Sequence, residues 1–107
     1  MSKANTGRAG RKPIHEREVL MSAALIVAAR DGYTRMSRDA IAIEAKCSTG
    51  LISKYFGTMP ALRRAVMRAA VARGNHTVLA QGLAAGDPNA HEAGPKAKRD
   101  ALDALLA

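Results

Sequence analysis

Aromatic side chains are almost missing from this chain, which has one Phe, two Tyr and no Trp among its 107 residues. The core must therefore be built from Ala, Leu, Ile, Val and Met packed between close helices. A chain of this length is one domain's worth, with a modest core, because small domains bury a smaller share of their surface. Cysteine is nearly absent as well. Cys47 stands alone, which excludes an intramolecular disulfide and a thiolate metal cluster and fits a reduced, cytoplasmic setting. His15, His76 and His91 are scattered without ligand spacing, so no metal or cofactor is expected. No Gly-rich phosphate loop and no grouping of acids and histidines suggests a nucleophile, base or metal site, so an enzyme is not expected. Long apolar runs are lacking too. The run LMSAALIVAA from Leu20 holds about ten residues between charges where a membrane span needs about twenty. Residues 1–13 lack the apolar stretch of a signal peptide.

Acidic residues are the other scarcity. The formal net charge is +8, and through Arg73 there are 14 Lys and Arg against 5 Asp and Glu, whereas from Gly74 onward there are 3 against 4. All of the positive excess lies in the first part of the chain. Neutralising phosphates releases counterions, so a polyanion is the natural partner of that part, and attraction to it should be salt-sensitive. No stretch resembles a basic amphipathic membrane anchor better than it resembles a bundle helix.

The stretch SRDAIAIEAKCSTGLISKYF, Ser37 to Phe56, organises the rest. Ile41, Ala42, Ala45, Cys47, Ile52 and Tyr55 fall where two short helices joined by a tight turn pack on each other, the helix-turn-helix pattern. Ser37 is placed to cap the first helix, with Asp39 near its positive end. Ser48 starts the second helix. Ala42 sits at the crossing, where a larger side chain would hold the backbones apart. Ile52, Tyr55 and Phe56 face inward and leave Thr49, Gly50, Ser53 and Lys54 outward. A small, polar and cationic face of this kind fits the major groove of B-DNA, with Gly50 permitting close backbone approach. Ser48 and Thr49 can bond phosphate, and Lys54 can reach a guanine edge or a phosphate.

Around this motif, residues 1–13 are expected to be a disordered basic arm in which Lys3, Arg8, Arg11 and Lys12 follow phosphates or enter a minor groove. A first helix is expected from Ile14 to about Asp31, with Gly32 as a left-handed stop. A fourth is expected over roughly Met59 to Arg73, capped by Thr58 with Pro60 in its first turn. A short helix over about Thr77 to Ala85 is less clear because of Gly82. Residues 86–95 have the composition of a turn and linker. Residues 96–107 carry an apolar stripe of Ala101, Leu102, Leu105 and Leu106 that must find a surface, since a lone helix of that length is marginal.

Ala23-Ala24, Gly32-Tyr33, Ile41-Ala42, Ala45, Ser48-x-Gly50 and Ser53-Lys54-Tyr55-Phe56 followed by Leu62 resemble the N-terminal DNA-binding domain of the TetR (tetracycline-repressor-like) family over residues 14–71. The resemblance implies an all-α fold, a three-helix helix-turn-helix bundle plus a fourth helix, with a short helical extension after it. It implies a dimeric transcriptional regulator, more often a repressor, bound to a palindromic operator on double-stranded DNA in the cytoplasm at the nucleoid. Its DNA contacts would be Ser37, Arg38, Ser48, Thr49, Gly50, Ser53, Lys54, Tyr55 and Arg63, besides the arm. Lys46 departs from the pattern, standing where the turn usually has Gly, which places a non-glycine residue at φ > 0 at a cost of about 1 kcal/mol. Met59 and Ser53 stand where phosphate-contacting Lys and Tyr are usual.

The expected domains are the arm (1–13), the DNA-binding unit (14–73) and an extension (74–107) that dimerises through Leu79, Leu83, Leu102, Leu105 and Leu106. Family members usually carry a large C-terminal inducer domain. With about 34 residues after the DNA-binding unit, no small-molecule sensor is expected, or else the chain is a truncated remnant. The rival reading is an architectural DNA-binding protein without sequence preference, or an adaptor that binds protein through the same helix-turn-helix surface.

Overall fold

The computed structural model describes residues 13–106, and among these it contains seven helices and no strand. Lys3, Arg8, Arg11 and Lys12 lie outside the described residues. Helix α1 (Pro13–Asp31) is followed by α2 (Arg38–Ala45), α3 (Thr49–Phe56), α4 (Met59–Arg73), α5 (His76–Ala85), α6 (Pro88–His91) and α7 (Pro95–Leu106).

Local chemistry fixes most of the boundaries. Ser37, Ser48 and Thr58 each adopt extended backbone ahead of a helix, and each side-chain oxygen accepts the N–H three residues on: Ala40 at 3.1 Å, Leu51 at 3.2 Å and Ala61 at 3.3 Å. Each cap satisfies one of the donors that a helix start leaves open. At the other ends, α2, α4 and α5 close with paired backbone bonds around a left-handed residue. Cys47 N–H donates to Ala42 O (2.9 Å), Asn75 N–H to Ala70 O (2.8 Å) and Asp87 N–H to Gly82 O (2.9 Å). The left-handed residues are Lys46 at φ 58°, Gly74 at 69° and Gly86 at 76°. Lys46 is the only non-glycine at positive φ among the described residues. This is the strained turn that the missing glycine implied.

Packing follows the apolar periodicity. Leu20, Ala23, Ala24, Val27 and Ala28 on α1 meet Ile41 and Ala42 of α2, Ile52 and Phe56 of α3, and Leu62, Val66 and Met67 of α4 in one buried cluster. The same cluster takes in Val78, Leu79 and Ala80 of α5, Ala90 of α6 and Ala101 of α7. Fully burying one such Leu or Ile contributes about 1.5–3 kcal/mol. Helices α1 to α4 form the helix-turn-helix bundle, α5 and α6 lie on α4, and α7 lies on α5.

Two details correct the sequence reading. The linker over 86–95 contains α6, because Asp87 accepts the Asn89 and Ala90 N–H groups and Pro88 suits the first turn, which buries Ala90 and Ala93. Leu79, expected at a dimer interface, is 1% exposed and belongs to the core. The extension buries that face of α5 against its own bundle before any partner arrives.

A polar clamp joins the extension to the helix-turn-helix unit. Gln81 accepts the Tyr33 N–H (2.7 Å) and donates to Ala29 O (3.3 Å), sealing the C-terminal end of α1. The Tyr33 hydroxyl donates to the Asp87 carboxylate (2.5 Å), with Arg63 O also at 3.3 Å. Burial first, then the bond to Asp87 and its charge, hold the Tyr33 hydroxyl above its ordinary pKa of 10.0, with Arg63 opposing. The folded protein therefore keeps this group neutral where the unfolded chain ionises it. Its contribution to stability is whole below about pH 10 and is lost as pH rises further. Tyr33→Phe should lower stability at neutral pH by about 1–2 kcal/mol. It should also flatten the fall in stability above about pH 10, checked by urea melts across that range.

Candidate nucleic-acid interface

The outward face of α3 is as the spacing implies. Ser48, Thr49, Gly50, Ser53 and Lys54 are all exposed, while Ile52 and Phe56 are buried beneath them. Lys54 lies alongside the ring of its neighbour Tyr55, its Nζ 5.7 Å from the ring centre. A Cβ added at Gly50 would meet only Ser48 Oγ, at 3.8 Å, so the space in front of this helix turn is open.

Beneath that face, α1 braces the helix. Tyr55 is half-buried and its hydroxyl donates to Glu16 (3.0 Å), and the Arg17 guanidinium stands 4.9 Å from the centre of the Phe56 ring. Tyr55, expected among the DNA contacts, is thus turned inward and positions α3. Arg38 is half-buried at the first turn of α2 and donates to Gly57 O (3.0 Å), tying the start of α2 to the end of α3. Arg63 is half-buried, its backbone carbonyl lies 3.3 Å from the Tyr33 hydroxyl, and its charge acts on that hydroxyl.

Three helix starts converge beside Thr49. Ser37, Arg38 and Asp39 at the beginning of α2, Thr49 at the beginning of α3 and Met59 at the beginning of α4 line one shallow concavity of about 400 Å³. Each helix start carries partial positive charge and N–H groups that its own helix does not use. The capping hydroxyls remain competent donors, since an oxygen that accepts one N–H still has its own proton to give. An anion placed here would meet several oriented donors. Asp39, which lines the same hollow, reduces the positive field. Each cap is legible in the sequence by itself, whereas their convergence depends on how the helices pack.

Adjoining that concavity through Asp39 and Thr49 is a second hollow of about 510 Å³, lined by Asp39, Ala42, Ile43, Lys46, Cys47 and Thr49. Ile43 is 78% exposed. Neither Ile43 nor Lys46 was singled out as a contact from the sequence, although Lys46 already marked itself by its left-handed backbone.

Among the described residues no group of three or more His, Cys, Asp or Glu is placed to hold a metal, and no helix is long and apolar enough to cross a membrane. What the described residues do present is a braced, exposed helix beside clustered helix starts, the form of a helix-turn-helix DNA-binding domain. Residues 20–66 match the family model described as bacterial regulatory proteins, tetR family. Over those residues the chain is similar to the DNA-binding domain of the tetR family of transcription regulators. No curated protein and no solved structure matches the chain.

Proposed function

We propose that the protein is a sequence-specific regulator, acting as a repressor, that reads DNA with Thr49, Gly50, Ser53 and Lys54 while Ser37, Ser48 and the starts of α2, α3 and α4 hold phosphates. The convergence of three helix starts beside the exposed face of α3 carries this reading. It supplies backbone positioning next to base readout, the two components that specific DNA recognition needs. In this scheme residues 14–73 are the DNA-binding unit, and residues 74–107 form an extension that holds no inducer.

One helix-turn-helix reads only a few base pairs, so the proposal includes a two-fold dimer on a palindrome with half-sites about one helical turn apart, or a multiple of it. The surface for it is α7. Leu102, Leu105 and Leu106 are 49%, 64% and 82% exposed among the described residues, an apolar stripe, and Leu83 is half-buried nearby on α5, the helix that α7 lies on.

Selection of bound duplexes from a random pool at roughly physiological salt tests the reading. A palindromic consensus is expected, with sedimentation showing two chains per duplex. Lys54→Ala should relax one position of that consensus at a cost of about 1–3 kcal/mol. Recovery of unrelated duplexes, with Lys54→Ala lowering affinity equally for all, would instead favour the architectural reading. Recovery of none would favour a protein-binding adaptor.

A further inference from the structure

The left-handed turn after α2 places a side chain where glycine would be easier. The same backbone motif closes α2, α4 and α5, with the same pair of bonds. At α4 and α5 the left-handed residue is Gly74 or Gly86, and at α2 it is Lys46. No packing role accounts for it, because Lys46 is exposed. None of the described residues forms an ion pair with it within 4.0 Å. What the position does give Lys46 is a place on the hollow shared with Ile43, Asp39 and Thr49, which adjoins the one at the helix starts through Asp39 and Thr49.

We infer that Lys46 is a second, sequence-independent DNA anchor, binding a backbone phosphate on the flank of the half-site opposite the clustered helix starts. This rests on the reading of α3 as the DNA-facing helix. If Thr49 and Gly50 approach the groove, the backbone bounding it on one side meets the starts of α2, α3 and α4. On the other side it meets the turn between α2 and α3, where the ammonium of Lys46 is the cation lining the hollow. Ile43, exposed beside it, offers an apolar surface to the deoxyribose next to that phosphate. Asp39 lines both hollows and opposes an anion in either, and in the second hollow the charge of Lys46 offsets it. The turn holds the start of the lysine stem in a fixed direction, which lowers the cost of ordering it on binding.

The experiment uses the full chain and a fluorescein-labelled mixed-sequence duplex of about 30 base pairs, long enough for two half-sites and their flanks, followed by anisotropy across a salt series. Lys46→Gln and Lys46→Gly should each weaken binding about fivefold to tenfold and reduce the salt slope by about 1, the loss of one phosphate contact. Lys46→Arg should bind like the parent protein. Arg68→Gln, which removes an exposed charge from the second half of α4, should leave affinity and slope unchanged. Lys46→Gly should also melt a few degrees higher, because glycine relieves the left-handed residue, so its weaker binding cannot be put down to unfolding. Parent protein that binds the duplex while Lys46→Gln binds equally well with the same slope would overturn the inference and leave the α3 reading standing. Parent protein that fails to bind at any salt would overturn both.

Discussion

Replacing Gly50 with leucine should leave the protein folded, slightly more stable, and unable to bind its operator with more than about a hundredth of the parent affinity. Gly50 lies within α3 and is exposed. A Cβ there finds only Ser48 Oγ at 3.8 Å. Its backbone is helical, without the positive φ that would favour glycine. Helix propensity alone therefore predicts a gain of up to about 1 kcal/mol on substitution. Glycine at this site makes no sense as a stabilising choice, and it makes good sense if a duplex must come within van der Waals distance of the backbone. A leucine would hold the first turn of α3 away from the base edges and spoil the contacts of Thr49 and Ser53 with them. Thermal melts and operator titrations on the same preparation separate the two effects. An unchanged affinity would mean that this face does not enter the groove.

Gly82→Val should have the opposite profile, with stability lost by about 3 kcal/mol or more and any loss of DNA binding following from unfolding. Gly82 is buried on α5, where an added Cβ would lie 2.3 Å from Met67 Cε, 2.9 Å from Met67 Sδ and 3.0 Å from the Ala90 Cβ. Met67 is itself fully buried, so its side chain cannot swing into solvent to make room. Alanine is the informative comparison. Its one methyl already meets Met67 and Ala90, so Gly82→Ala should also lose stability, but less than Gly82→Val, which adds two further methyls. Urea melts of the three proteins give the ordering directly. If the valine variant were as stable as the parent, α4, α5 and α6 would not be as close as described.

These two glycines show where the sequence was legible and where it was not. Local chemistry is written in the order of residues, so the caps at Ser37, Ser48 and Thr58 and the inward placement of Ile52 and Phe56 were open to reading from spacing and residue type alone, and the turn at Lys46 from the family resemblance. Gly82 weakened the expectation of a helix, because its purpose, letting α5 sit against Met67 and Ala90, depends on residues 15 and 8 positions away. The same holds for Leu79. Its apolar character was plain, but whether it faced its own core or a partner was decided by how α5 lies on the bundle. Asp87 and Pro88 looked like linker residues because each is common in turns. Their role in capping α6 and receiving the Tyr33 hydroxyl joins positions more than fifty residues apart. At the candidate interface, the residues of α3 were legible, whereas the gathering of three helix starts around Thr49 is a property of packing.

The most direct test of the account is an amide chemical-shift map of the isotope-labelled protein titrated with its selected duplex. The account predicts that the large shifts gather at residues 37–39, 46–54 and 58–60, with α5 and α6 nearly still. Shifts concentrated on α5 to α7, with Thr49, Gly50, Ser53 and Lys54 unmoved at saturation, would contradict it.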